Sequence, residues 1–171
     1  MPSVAEQTRE WTEQRYQYYV AGRTLWFSNQ MGMGAMMLAY SIEAHMKQLL
    51  SCEKKPPQKL LYSHDIPELF QESVKRGLFR DIQASPDLLR YAQDNFHRRY
   101  PSQTRQTVQR AMSRGHCLTM DPCLILAYDD LILQLDDAVY QFCGTAKGSI
   151  AAIASQSIDC YEGRLFFHCN Y

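Results

Sequence analysis

The stretch from Met31 to Leu50 constrains the fold more than any other part of the chain. It reads M-G-M-G-A-M-M-L-A-Y-S-I-E-A-H-M-K-Q-L-L, and a helix drawn through it is apolar on nearly every side. Such a helix has to be surrounded by other elements, and its small residues let a neighbour approach closely. The sequence therefore predicts a central helix in an all-α bundle. Gly32 and Gly34 lack a preceding strand and a third glycine, so we interpret them as packing residues and not as a dinucleotide-binding loop.

Helical patterns continue on both sides of this stretch. Apolar residues recur at steps of three and four, and capping residues such as Asp65, Ser85 and Asp121 precede the later segments. The segment from Cys52 to Lys59 contains two prolines and is expected to be a loop. The predicted helices cover about 4–28, 31–50, 65–76, 85–100 and 123–143.

These helices divide the chain into two parts. Residues 1–144 are expected to form an up-and-down bundle of about five helices, which Gly144 ends. Residues 145–171 differ in character, because two short segments flank Glu162-Gly163 as they would in a small hairpin. We expect this C-terminal tail to pack on the bundle or on a partner, since an isolated hairpin is marginally stable.

The charges are balanced overall but separated along the chain. Eighteen basic and eighteen acidic residues give no net charge, so the sequence predicts no global attraction to nucleic acid or to a membrane. Between residues 90 and 116, however, there are six arginines and one acid, whereas residues 120–143 hold five aspartates and no lysine or arginine. Either the two segments neutralise each other, or the arginines are free to meet phosphates.

Six cysteines are spread over the chain, at positions 52, 117, 123, 143, 160 and 169. No apolar leader or membrane-length run accompanies them, which predicts a cytoplasmic protein whose reduced thiols act as small hydrophobic residues. A zinc site would need closely paired ligands such as C-x-x-C, and that motif is absent. We therefore expect no metal and no cofactor.

Arg90 and His97 are the candidate catalytic residues. Seven positions on a helix are nearly two full turns, so both side chains are expected on one face, about 10 Å apart along the axis. A phosphodiester fits between a guanidinium and an imidazole that titrates near neutral pH, and the 2′-hydroxyl of RNA would be the nucleophile. The alternative is that Arg90 is a solvated surface charge and His97 belongs to a helix end.

The other polar residues of the helices are given structural roles. Glu43 and Lys47 are spaced i, i+4 and are expected to form a pair that stabilises the helix. His45 is expected to lie on another face, and His64 is expected to serve the start of the third helix.

Three motifs in order resemble the HEPN family of all-α domains. They are S-I-E-A-H-M-K-Q-L-L, then Y-S-H-D-I-P-E-L-F, then N-F-H-R-R-Y-P, and the resemblance covers about residues 10 to 142. It implies a bundle of about five helices, a homodimer, and a groove at the dimer interface. In the ribonuclease branch of that family, an R-x(4 to 6)-H motif from each subunit meets in the groove, and Arg90 and His97 match this motif.

The chain departs from the ribonuclease branch at two points. Tyr91 stands where that branch usually has a small polar or charged residue. The R-Y-P ending, Arg99 to Pro101, resembles members that lack catalysis and are linked to nucleotidyltransferase partners.

Together these features give two functional hypotheses. The first is an RNA- or nucleotide-binding protein of a toxin–antitoxin or defence type system, with metal-independent endoribonuclease activity left open. Its phosphate-binding residues would be Arg98, Arg99, Tyr100 and Arg105. The second is a non-catalytic interaction module that docks a nucleotidyltransferase-like or antitoxin protein through its arginine-rich segment.

Overall fold

A computed structural model describes residues 4–79, 81–97 and 124–144 of the chain, with side chains described from residue 10. This part of the chain is helical and contains no strand, which confirms the all-α prediction. The predicted C-terminal tail and the loop from Pro101 to Thr119 lie outside the described residues. The helices are α1 (Val4–Phe27), α2 (Met31–Ser51), α3 (Gln58–Leu61), α4 (Ile66–Lys75), α5 (Pro86–Phe96) and α6 (Leu124–Cys143).

The helix starts that the sequence predicts from capping residues are observed for α4 and α5. The Asp65 side chain accepts a hydrogen bond of 2.8 Å from the Glu68 amide at the start of α4. Ser85 does the same for the Leu88 amide at the start of α5, at 3.0 Å. Each cap satisfies one of the backbone donors that a helix leaves unpaired at its first turn.

Two boundaries differ from the prediction. The expected loop from Cys52 to Lys59 gives way at Gln58 to α3, a single helical turn that places Leu60 and Leu61 in the core. α5 ends at Phe96 with His97 as its cap, although Pro101 marks the first position that could not continue a helix. A proline limits how far a helix can extend but does not make it reach that limit.

α2 is the centre of the bundle, as its all-round apolar pattern predicts. It packs against α1, α3, α4, α5 and α6, and every residue from Ser41 to Ser51 is buried. That buried run includes charged residues as well as apolar ones, so the surrounding helices have to supply polar partners inside the core.

α1 and α2 approach each other closely at two glycines. A Cβ atom built on Gly22 would lie 2.7 Å from Cγ of Leu38, and one on Gly34 would lie 2.8 Å from the Gly22 carbonyl oxygen. Since real Cβ contacts are not that short, a side chain at either position would force the helices apart. The interpretation of Gly34 as a packing residue is confirmed.

Two aspartates of α6 form buried ion pairs with arginines of α1. Arg15 pairs with Asp136, and Arg23 pairs with Asp129, which also accepts a 3.0 Å hydrogen bond from the Tyr19 hydroxyl. Burial raises the pKa of Asp129 above its ordinary value and raises that of Tyr19 far above its own. These two aspartates therefore have cationic partners in α1.

The described cysteines, Cys52 and Cys143, are free thiols that lie near each other at the ends of α2 and α6. Cys143 Sγ is 3.8 Å from the Gln48 carbonyl oxygen. A hydrogen bond from Cys143 lowers the pKa of Cys52 to about 7, whereas the same contact raises the pKa of Cys143. The redox state of these thiols stays a prediction.

Among the described helices, none is both long enough and apolar enough to cross a membrane.

Candidate functional site

Arg90 lies on the solvent side of α5. Its side chain is 66% exposed and forms an ion pair with Asp87, which stands one turn earlier on the same helix. An exposed pair of this kind contributes little to stability, because water screens both charges. Arg90 is therefore accessible, but Asp87 competes with any phosphate for its guanidinium.

His97 is half-buried and is held by Gln93. The Gln93 amide nitrogen lies 2.5 Å from His97 Nε2, and the Gln93 carbonyl oxygen accepts from the Ile66 amide at 2.6 Å. Because the second bond fixes the orientation of the amide, Gln93 is the donor and His97 Nε2 is the acceptor. The His97 proton is then on Nδ1, which is buried without a hydrogen-bond partner in the described part of the chain.

The described contacts do not join Arg90 to His97. Arg90 contacts Asp87, whereas His97 contacts Gln93 and packs edge-on against the Phe96 ring. The remaining residues predicted to bind phosphate, Arg98, Arg99, Tyr100 and Arg105, lie outside the described residues.

A second polar group, of which the sequence predicted only the Glu43–Lys47 pair, lies beside the end of α5. Glu43 Oε1 is 2.5 Å from Lys47 Nζ and 2.8 Å from His64 Nδ1. Glu43 and Lys47 are buried, and the Lys47 ammonium also lies 5.2 Å from the centre of the Trp11 ring. We call Glu43, Lys47 and His64 the pocket cluster. The predicted i, i+4 pair is confirmed, but it also includes a histidine from a different segment.

His64 connects the pocket cluster to solvent. Its side chain is 51% exposed, and its ring stacks on Phe96 with 5.4 Å between the ring centres. Since Nδ1 donates to the carboxylate, the neutral imidazole presents the lone pair of Nε2. Glu43 therefore fixes the tautomer and the orientation of His64.

A cavity of about 200 Å³ opens beside the pocket cluster. Four aromatic rings line it, and they come from α1, α2 and α5. The Tyr40 ring centre lies 5.2 Å from that of Tyr18 and 4.7 Å from that of Phe96, so the aromatic wall is continuous. We call this cavity the aromatic pocket. Its lining residues are Trp11, Gln14, Tyr18, Tyr40, Glu43, Ala44, His64 and Phe96.

Gln93 links the aromatic pocket to the sequence-predicted site. Its amide nitrogen donates to the His64 carbonyl oxygen at 3.1 Å as well as contacting His97 Nε2. Phe96 lines the aromatic pocket, and the next residue along the chain is His97. The pocket therefore lies at the end of α5, directly before the arginine-rich segment in sequence.

The chemistry of this region is that of a small, partly polar recognition site. It offers aromatic faces, a buried carboxylate and an imidazole whose tautomer is fixed. Nothing in the described ranges brings together three histidine, cysteine or acidic side chains as a metal site would.

Sequence reasoning assigned His64 to the start of the third helix because Asp65 follows it directly. The pairing with Glu43 depends on how α2 lies against the segment before α4, and 21 positions separate the two residues. No periodic pattern encodes such a contact. The local signal was an acid on the largely apolar α2, because a buried carboxylate needs partners.

Comparison with known proteins gives no match to a family model, a curated sequence or a solved structure. The resemblance to the HEPN family therefore depends on the three sequence motifs.

Proposed function

We propose that this chain is a HEPN-like protein that binds RNA or a nucleotide at the end of α5. The observation that carries this proposal is the aromatic pocket, which lies directly before a segment with arginines at positions 98, 99, 105, 110 and 114. Single-stranded nucleic acid is bound by this combination, in which aromatic rings stack with bases and basic side chains follow the phosphates.

The ion pairs of α6 support the proposal. If the aspartates of α6 neutralised the arginine-rich segment, few arginines would remain for phosphates. Asp129 and Asp136 instead pair with Arg23 and Arg15 of α1. Two aspartates of α6 are thus buried with cationic partners from α1. Their charges do not require arginines of the arginine-rich segment.

Binding is tested by titrating fluorescently labelled single-stranded RNA at several salt concentrations. We expect affinity to fall steeply with salt, and Arg98→Ala with Arg99→Ala to reduce the slope by roughly one unit for each phosphate-binding side chain removed. Lys54→Ala with Lys55→Ala is the matched control, because it removes two exposed basic residues away from the pocket. Binding that is absent or insensitive to salt would favour the non-catalytic interaction module instead.

Metal-independent cleavage of RNA belongs to the same proposal and is tested separately. Purified protein is incubated with RNA in EDTA, and the products are analysed for a 2′,3′-cyclic phosphate. If Arg90 and His97 are catalytic, Arg90→Ala and His97→Ala each slow cleavage by about a hundredfold or more. A DNA copy of the substrate should remain intact, because it lacks the 2′-hydroxyl. Cleavage of that DNA would contradict the mechanism.

We also propose that the chain forms a homodimer. Apolar residues recur every seven positions on α6 at Leu126, Leu133 and Tyr140, and the first and last are 48% and 42% exposed. This stripe supports association of α6 with a second copy or with a nucleotidyltransferase-like or antitoxin partner. Sedimentation at micromolar concentration tests the dimer, for which Leu126→Glu should shift the population to monomer.

A further inference from the structure

Glu43 is a hydrogen-bond acceptor in the wall of the aromatic pocket. Its Oε1 receives both Lys47 and His64, at 2.5 and 2.8 Å. Glu43 also lines the pocket, so a ligand held there can reach its carboxylate. A carboxylate oxygen in a largely buried site is a strong acceptor, and a ligand with an N–H group can satisfy it.

His64 adds a second acceptor to the same pocket. Because Nδ1 donates to Glu43, the neutral ring has its lone pair on Nε2. Half of the His64 side chain is exposed, and His64 lines the pocket, so a ligand held there can reach the ring. The polar side of the pocket thus presents two hydrogen-bond acceptors, and it fits a ligand with more than one hydrogen-bond donor.

The charge of the pocket cluster narrows the class of ligand. Lys47 lies against Glu43 and offsets its charge, so the site does not need a cation to be neutral. The aromatic wall favours a flat ring. A volume of about 200 Å³ is below the range of about 300–1,000 Å³ typical of drug-sized ligands, and so fits one ring system and not a whole dinucleotide.

We propose that the aromatic pocket binds the base of a guanine nucleotide, with its donor edge toward Glu43 and His64. Guanine presents N1–H and the N2 amino group side by side on its Watson–Crick edge. The same edge of adenine or cytosine places a lone pair next to its amino group, and that lone pair would face an acceptor. This inference rests on the proposed function, and it names the base that the nucleotide-binding site selects.

Ligands test the inference without changing the protein. Trp11 lines the pocket, whereas Trp26 is buried against Tyr128, so tryptophan fluorescence reports binding at the pocket. We expect GMP to change the fluorescence and IMP, which lacks the N2 amino group, to bind about tenfold more weakly. AMP and 1-methyl-GMP should bind more weakly still, since each lacks the N1–H donor. In Trp11→Phe, the GMP signal should be lost while calorimetry still detects GMP.

A carboxylate substitution tests the acceptor. Glu43→Gln should weaken GMP by about tenfold or more and reduce the preference for GMP over IMP, with Glu68→Gln as the matched exposed control. Glu43→Gln leaves Lys47 without its carboxylate, so thermal unfolding is measured in parallel. The ligand comparison decides the inference even if this variant unfolds.

The outcomes separate the inference from the proposed function. Equal binding of GMP, IMP and AMP overturns the guanine assignment but leaves nucleotide binding in place. Guanine preference that survives unchanged in a folded Glu43→Gln protein also overturns it. If neither mononucleotides nor single-stranded RNA bind, the proposed function itself fails.

Discussion

Two groups of charged side chains lie on different faces of α2. They differ in whether a ligand can reach them, and we call a group closed when none can. One group surrounds Ser41 and His45: Ser41 donates to the Arg15 carbonyl oxygen at 2.9 Å, and His45 Nε2 lies 3.8 Å from Asp136. The other is the pocket cluster. Positions 43 and 45 are about 200° apart around a helix, so the two groups face different neighbours.

The difference shows what each group does. Arg15, His45 and Asp136 are almost entirely buried, so their partners come from within the bundle and no ligand can reach them. The pocket cluster has buried charges too, but His64 is half-exposed, and both Glu43 and His64 line the aromatic pocket. A closed group stabilises the fold, whereas an open one remains available to bind.

The largest effect expected from this comparison is on stability. Asp136→Ala would leave the Arg15 guanidinium buried without its carboxylate, so the free energy of unfolding should fall by about 3–5 kcal/mol. Urea denaturation measures this loss. Asp130→Ala is the control on the same helix, because Asp130 is exposed and should change stability by no more than about 0.5 kcal/mol. Similar losses in both variants would contradict the distinction.

A smaller effect is expected from pH. Burial lowers the pKa of His45 below its ordinary value of 6.5, so His45 stays neutral in the folded chain while it gains a proton in the unfolded chain. The unfolding free energy should therefore decrease as pH falls below about 6.5, by up to about 1.4 kcal/mol per pH unit from this group.

The comparison variant for this pH effect is His45→Gln, which should show a flatter profile than wild type between about pH 6.5 and 5. Asp129 acts in the opposite direction, because its raised pKa gives stability that is present at low pH and is lost as pH rises through the folded pKa. Subtracting the two profiles cancels that contribution. Parallel profiles would show that His45 does not contribute.

The smallest stability effect is expected in the pocket cluster. His64→Gln removes a half-exposed partner of Glu43, and the cost should be below about 1 kcal/mol because water already screens the imidazole. The same substitution should still weaken GMP binding measurably. A large loss of stability in His64→Gln would mean that the pocket cluster is closed like the group around His45.

The sequence predicted what depends on neighbouring residues. Asp65 and Ser85 define helix starts through bonds to amides three positions along, and the all-round apolar pattern of α2 predicted its central place. The end of α5 was predicted less well, because Pro101 states only where a helix cannot continue. The aromatic pocket could not be predicted, since its walls come from four distant segments that meet only in the packed bundle.

The close approach of α1 and α2 has a consequence for selectivity. Trp11 and Tyr18 of α1 and Tyr40 of α2 line the aromatic pocket, whereas Gly22 and Gly34 hold the two backbones together farther along the same pair of helices. Neither glycine lines the pocket, yet a single added methyl group at either one would move an entire wall. We therefore expect Gly22 and Gly34 to determine the range of ring sizes that the pocket admits, although no ligand in the pocket touches them.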